Sequence, residues 1–243
     1  MPDWQFADSS IGIDVGVITG LETQKRNKKR VNVYIDGEFT LSVSIEEAAR
    51  LRKGQALSDE DIGALQALDA SQRAVDAAAR LLSLRPRSVF EVRQNLTRKG
   101  IAAPVISEAI ERLTTMGYLD DRAFAEFWVK ERNASKPISA RALRYELRQK
   151  GVARAIIDDV LDAQDESEIA VEAARKHLRR VRGLKRSEAR QKLTAQLARR
   201  GFSASSARDA IRQVFEEVDA DEEPFFREDS ESEGADNDWN DEV

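Results

Sequence analysis

Basic side chains stand beside a serine at three places in this 243-residue chain: Arg85-Pro86-Arg87-Ser88, Lys136-Pro137-Ile138-Ser139 and Lys185-Arg186-Ser187. A cation next to a hydroxyl that can cap a helix suits anion binding, because the first helical turn presents unbonded amide hydrogens and the cation adds charge. Capping alone explains the serines, and Ser88 with Glu91 also reads as a capping box, but capping does not require the arginines and lysines. A second basic set, Arg98-Lys99, Lys150 and Arg199-Arg200, has a local explanation, since positive charge complements the end of a helix dipole. The densest group is Lys136 with Arg141, Arg144, Arg148 and Tyr145. The candidate contacts to an anionic partner, a nucleic-acid backbone or an acidic protein groove, are therefore Arg85, Arg87, Lys136, Arg141, Arg144, Arg148, Lys185 and Arg186.

Other chemistries find little support. The chain has no cysteine, and its one histidine, His177, lies among Arg175, Lys176, Arg179 and Arg180, so no zinc ligand set is completed and His177 reads as a surface or boundary residue. Neither a phosphate-cradling glycine loop nor a Gly-x-Ser-x-Gly elbow occurs. Nothing argues for an enzyme or a cofactor. No apolar run approaches the roughly 18 residues of a membrane span, and the N-terminus lacks a secretory pattern, so a soluble cytosolic protein is expected.

The elements that position these cations recur with a fixed period. Leu96-Thr97-Arg98-Lys99-Gly100-Ile101, Leu147-Arg148-Gln149-Lys150-Gly151-Val152 and Leu197-Ala198-Arg199-Arg200-Gly201-Phe202 place their glycines 51 and 50 residues apart. Apolar residues stand eight and four positions before each glycine (Val92 and Leu96, Leu143 and Leu147, Leu193 and Leu197), one face of a helix that ends at the glycine. Glycine suits that end because it enters the left-handed region without a Cβ clash. With Ala74 to Leu84, Ala123 to Arg132 and Ala170 to Val181 as first helices, each copy reads as helix, short basic linker, helix, glycine turn, helix. Stacked copies of one unit make an elongated, curved, mainly α array, and a monomer is expected because no long apolar stripe is left over.

Ahead of the repeats, Val17 to Thr23, Val31 to Ile35 and Phe39 to Val43 alternate in hydropathy around an Asp36-Gly37 turn signal, which predicts a three-stranded β head. A short helix near Ile45 to Leu51 follows, then a helix opened by Ser58 and its acidic neighbours. The organisation expected is a disordered segment at 1–16, the β head at 17–57, the leading helix and first repeat at 58–122, the second repeat at 123–165, the third at 166–215 and a disordered acidic tail at 216–243. The tail carries 14 acidic residues against Arg227 alone, whereas 74–215 carry 29 Lys and Arg against 18 Asp and Glu. The net charge of -5 thus hides a basic repeat body, and a tail of this sign could compete with nucleic acid for it.

Arg85-Pro86-Arg87-Ser88-Val89-Phe90-Glu91-Val92 with Leu96 and Lys99-Gly100, Gly117-Tyr118-Leu119-Asp120-Asp121 with Phe124-Ala125 and Trp128, and Glu146-Leu147-Arg148-Gln149-Lys150-Gly151-Val152 together resemble the RecX regulators of the RecA recombinase. The resemblance runs over about residues 17 to 215, with Pro137 and Ile138 standing where a more glycine-containing linker is usual. It implies a protein of DNA recombination, repair and the SOS response that lies in the groove of the RecA filament on single-stranded DNA. There it would lower ATP hydrolysis, strand exchange and co-protease activity. In the Gly-Tyr-Leu-Asp-Asp block, Gly117 would end a helix, Tyr118 and Leu119 would pack, and Asp120 or Asp121 would cap the next helix. Two other classes stay open on the residues alone: a helix-turn-helix DNA-binding protein independent of RecA, and a protein-only helical-repeat scaffold.

Overall fold

A computed structural model describes residues 15–220 and 224–227; the disorder expected for the first fourteen residues and for most of the tail lies outside them. The described chain divides into two compact units, one ending at Leu119 and one beginning at Asp120.

The first unit opens with an antiparallel sheet of β1 (Val15–Thr23), β2 (Arg30–Ile35) and β3 (Glu38–Ser44), followed by α1 (Ile45–Ala48) and β4 (Ala56–Ser58). The strand order is β3-β2-β1-β4, so the head has four strands rather than three. Three residues are too few for alternation to reveal β4; it exists because Val15, Gly16 and Val17 of β1 pair with Ser58, Leu57 and Ala56. Asp36 and Gly37 both take positive φ, the geometry of a tight hairpin turn matching strand twist. Ile18, Val31, Val33, Leu41, Val43 and Leu57 form the buried face.

Ser58 then starts α2 (Asp59–Leu82) through a reciprocal capping box with Asp61. The leading helix and the first helix of the first repeat are thus one continuous helix. Its alanine-rich C-terminal half packs with α3 (Val89–Arg98) and α4 (Ala103–Thr115) around Ala74, Ala78, Val92, Leu96, Ala109 and Leu113.

The second unit holds two further triplets. Asp120 caps α5 (Asp121–Ser135), accepting from the Arg122 and Ala123 amides at 2.7 and 3.3 Å. Next come α6 (Ala140–Gln149) and α7 (Arg154–Asp162), closing over Phe124, Val129, Leu143, Leu147 and Ile157. The last triplet is α8 (Glu166–Arg175), α9 (Arg186–Arg199) and α10 (Ala204–Asp219), with Leu193, Leu197, Phe202, Val214 and Phe215 in its core. All three repeat glycines have φ between +75° and +89°, and in each turn the next residue's amide reaches back to the leucine carbonyl five positions earlier (Ile101 to Leu96, Val152 to Leu147, Phe202 to Leu197). That is the bonding of a helix end closed by a left-handed residue.

Several expectations are corrected here. Residues 15 and 16 belong to β1, and the tail is helical to Asp219, so neither terminal boundary stands as expected. The first helix of the third repeat stops at Arg175 and continues only as a 3-10 turn at Leu178–Arg180. Lys185, not Ser187, is the N-cap of α9, and its side chain makes no capping bond. Tyr118 is 69% exposed while Leu119 is buried, so only the second of that pair packs.

Candidate anion-binding surfaces

Three of the eight expected contact residues are committed to internal ion pairs. Arg85 reaches Glu91 at 3.2 Å and the Pro86 carbonyl at 2.8 Å. Arg144 donates through Nε to Asp158 at 3.0 Å, and this bond is the largest cause holding the Asp158 carboxyl below its ordinary range. Arg186 grips both oxygens of Asp219 at 2.8 Å, which lowers the Asp219 pKa and raises its own.

Lys136, Arg141 and Arg148 are instead exposed and have no acidic partner among the described residues. Arg141, Tyr145 and Arg148 follow at i, i+4 and i+7, so they share one face of α6, opposite the buried Leu143 and Leu147. Tyr145 is 66% exposed there. The face therefore offers two guanidinium forks around an aromatic ring, able to hold phosphate or carboxylate oxygens and to stack on a planar group. Arg87, in the first unit, is half-buried, and its Nε lies out of solvent with no hydrogen-bond partner.

The second basic set is largely tied down. The Lys150 ammonium lies 4.8 Å from the centre of the Trp128 ring, which Arg132 also covers at 4.9 Å; Trp128 and Arg132 both donate to Glu146 at 2.8 Å. Arg200 donates to the Pro137 carbonyl at 2.8 Å and to His177 Nε2 at 2.7 Å. Since a guanidinium can only donate, His177 accepts through Nε2 and carries its proton on Nδ1. His177 is 8% exposed, so it is not the surface or boundary residue expected. Burial first, and then Arg200, Arg180 and Arg199, push its pKa below the ordinary value.

The third linker is covered from the tail. Gly183 donates its amide to the Phe225 carbonyl and Arg227 donates to the Leu184 carbonyl, each at 3.0 Å. Phe226 stacks against Phe215 at 4.6 Å, Arg186 lies over both rings at 5.3 and 5.1 Å, and Arg182 lies over Phe225 at 5.9 Å. Phe225 and Phe226 are thus part of the third repeat's packing, not of a disordered tail. The four-helix-residue extension and this strap escaped the sequence reading because both sit in acidic composition.

Another group was missed. The β1–β2 loop with the first residue of β2 reads Lys25-Arg26-Asn27-Lys28-Lys29-Arg30, a run that the head's net acidity concealed. Beside it is a cleft of about 520 Å³ lined by Asn27 and Arg30, by Arg73, Asp76, Ala77 and Arg80 of α2, and by the Lys99–Ala102 turn with Val105. Among the described residues no cluster of three or more His, Cys, Asp or Glu could hold a metal ion.

Sequence profiles agree with this layout. Residues 16–58 match the RecX regulatory protein N-terminal domain, and residues 74–113, 120–161 and 164–211 match the first, second and third three-helix domains of RecX. The chain is 34% identical to the regulatory protein RecX of Bacillus subtilis, over 85% of its own length and 80% of that protein. It is 40% identical to the Lactobacillus johnsonii regulatory protein RecX over 63% of this chain and 56% of that protein. A crystal structure of a regulatory protein RecX superposes with TM-score 0.62 at 26% identity, covering 83% of this chain and 99% of that one.

Proposed function

The chain belongs to the RecX family of regulatory proteins, and from that premise we propose that it is a negative regulator of the RecA recombinase. It binds the RecA filament on single-stranded DNA, lowers ATP hydrolysis, strand exchange and co-protease activity, and so acts in DNA repair, recombination and the SOS response in the cytoplasm. It does this as a monomer, by binding and not by catalysis. The observation that supports this most is the α6 face, where Arg141 and Arg148 flank the exposed Tyr145 without an internal acidic partner. Lys136, three residues before the α6 N-cap, and Arg87 are further contacts.

Arg85, Arg144 and Arg186 play a different part in this reading: their ion pairs hold linkers and helices in place, so replacing them alters stability before it alters recognition. The test is ATP hydrolysis by RecA on single-stranded DNA, titrated with the protein and with a Lys136→Ala/Arg141→Ala/Arg148→Ala variant. Inhibition by the parent at concentrations too low to coat the DNA, weakened at least about tenfold in a variant of unchanged helix content, is the expected result. That is a loss of about 1.4 kcal/mol, modest for three charged contacts. A variant as potent as the parent rejects the α6 face; a parent without effect rejects regulation of RecA.

A further inference from the structure

We infer that the cleft of the first unit is a second binding site, and that its ligand is single-stranded nucleic acid with an unstacked base inside the cleft. This goes beyond the filament reading, since it concerns nucleic acid itself and residues of a different unit. Four cations line the cleft; Arg30 is held by Asp69, while Arg73 and Arg80 on α2 and Lys99 at the end of α3 are exposed and without an acidic partner among the described residues. Arg73 and Arg80 are seven residues apart on one helix, about 10.5 Å along its axis. That spacing fits charges strung along a backbone better than one isolated anion.

The lining of the cleft is not all charged. Ala77, Ile101 and Val105 line it alongside the cations, an apolar surface on which a flat base can lie and a carboxylate side chain gains nothing. Asp76 also lines it, its carboxylate held by Gln72 at 2.9 Å. A carboxylate there accepts from the amino group of a base and repels any anionic group brought into the cleft, so a neutral base enters it more readily than an acidic side chain, with the phosphates left to the cations. Duplex DNA keeps its bases stacked and cannot use the apolar surface.

The basic loop beside the cleft is held in shape. Gln24 donates its amide to the Arg30 carbonyl at 2.9 Å, and the Lys29 amide donates to Asn27 Oδ1 at 3.1 Å. Arg30 is anchored to Asp69 at 2.6 Å and to the Ser42 carbonyl at 3.1 Å. Lys25, Arg26, Lys28 and Lys29 are exposed on this fixed loop, so the strand leaving the cleft meets further positive charge without the cost of ordering the loop.

The experiment is fluorescence anisotropy of a labelled oligodeoxycytidylate, whose bases carry an amino group, with the full chain, without RecA, over a salt series. An Arg73→Ala/Arg80→Ala/Lys99→Ala variant is expected to keep its helix content, to bind at least about tenfold more weakly at low salt, and to show a log–log salt slope shallower by about 2, from roughly 0.7 per phosphate contact. An abasic strand of equal length is expected to bind the parent several-fold more weakly, with that difference shrinking in an Ile101→Asp variant. Unchanged affinity and slope in the triple variant overturn the site. Equal binding of duplex or abasic strand overturns the base-in-cleft geometry, and poly-glutamate competing as well as the oligonucleotide overturns the ligand class. Because RecA is absent, this site and the regulation of RecA stand or fall separately.

Discussion

The linker before α6 is covered by the repeat that follows it: the Ser139 amide donates to the Arg200 carbonyl at 3.0 Å, and the Arg200 guanidinium reaches the Pro137 carbonyl. The linker before α9 has no later repeat among the described residues, and Pro224–Arg227 supplies the equivalent cover through the Phe225 carbonyl and the Arg227 amide. Both linkers carry backbone groups that need partners once packed, and an unmet buried group costs about 1–3 kcal/mol. In a stacked array each unit leans on its neighbour, so the last needs a substitute. Here the substitute is drawn from a segment whose composition reads as a solvated tail. The cover also decides which cations remain available. Lys136 at the second linker stays exposed, whereas at the third Arg186 is engaged by Asp219 and two aromatic rings.

The largest effect is expected where the second linker meets its cover. A Cβ on Gly201 would lie 2.6 Å from Ser139 Oγ and 3.3 Å from Ala142 Cβ, at a φ of +89°. Gly201→Ala should therefore destabilise the second unit by about 3 kcal/mol, combining left-handed strain with overpacking. Gly100→Ala, with the same kind of φ and open space around the new Cβ, should cost only about 1 kcal/mol. Thermal unfolding of the two variants compares them, and equal losses would mean that the close approach at Ser139 is unimportant.

At the third linker, Phe226→Ala should weaken the strap by about 1–2 kcal/mol, since the side chain is partly rather than fully buried. Amide exchange should quicken at Gly183 and Arg227 and stay unchanged at Ser139. Unaltered protection at Gly183 would show that the aromatic contacts do not hold the strap.

A smaller effect is pH-dependent. The folded-state pKa of His177 is depressed by burial and by Arg200, Arg180 and Arg199, and Gln196 also faces the ring at 3.2 Å. The unfolded chain thus binds a proton more readily than the folded one. The stability this histidine contributes is present above its ordinary value near 6.5 and is lost as pH falls from there through the lower folded value. His177→Gln should flatten the decline, and an identical acid profile would remove His177 from the account. Least of all, Asp219→Asn should cost under about 1 kcal/mol, because the pair with Arg186 is nearly half exposed and screened, and the loss should shrink at high salt.

Periodicity made most of the fold legible. The leucine faces of α3, α6 and α9, the left-handed glycines, the Ser88 and Ser139 caps and the Asp36-Gly37 turn all depend on interactions within a few residues, which sequence spacing encodes directly. The copy count and the basic character of the repeats followed from the same pattern.

Which arginine is free and which is bound did not follow, because partners come from distant positions: Asp158 lies 14 residues from Arg144, and Asp219 lies 33 from Arg186. The same holds for burial of His177, set by Gln196 of α9 and Arg200 just after it, and for the cleft that gathers the β1–β2 loop, α2 and the Gly100 turn. Local backbone preference and apolar spacing are properties of a short stretch of chain, so the sequence by itself determined the repeat pattern, the glycine ends of α3, α6 and α9 and their inward faces, but not the extent of α2 or α8. Charge pairing and enclosure depend on what the packed helices bring together, so only the tertiary structure decided which side chains are left to meet a partner.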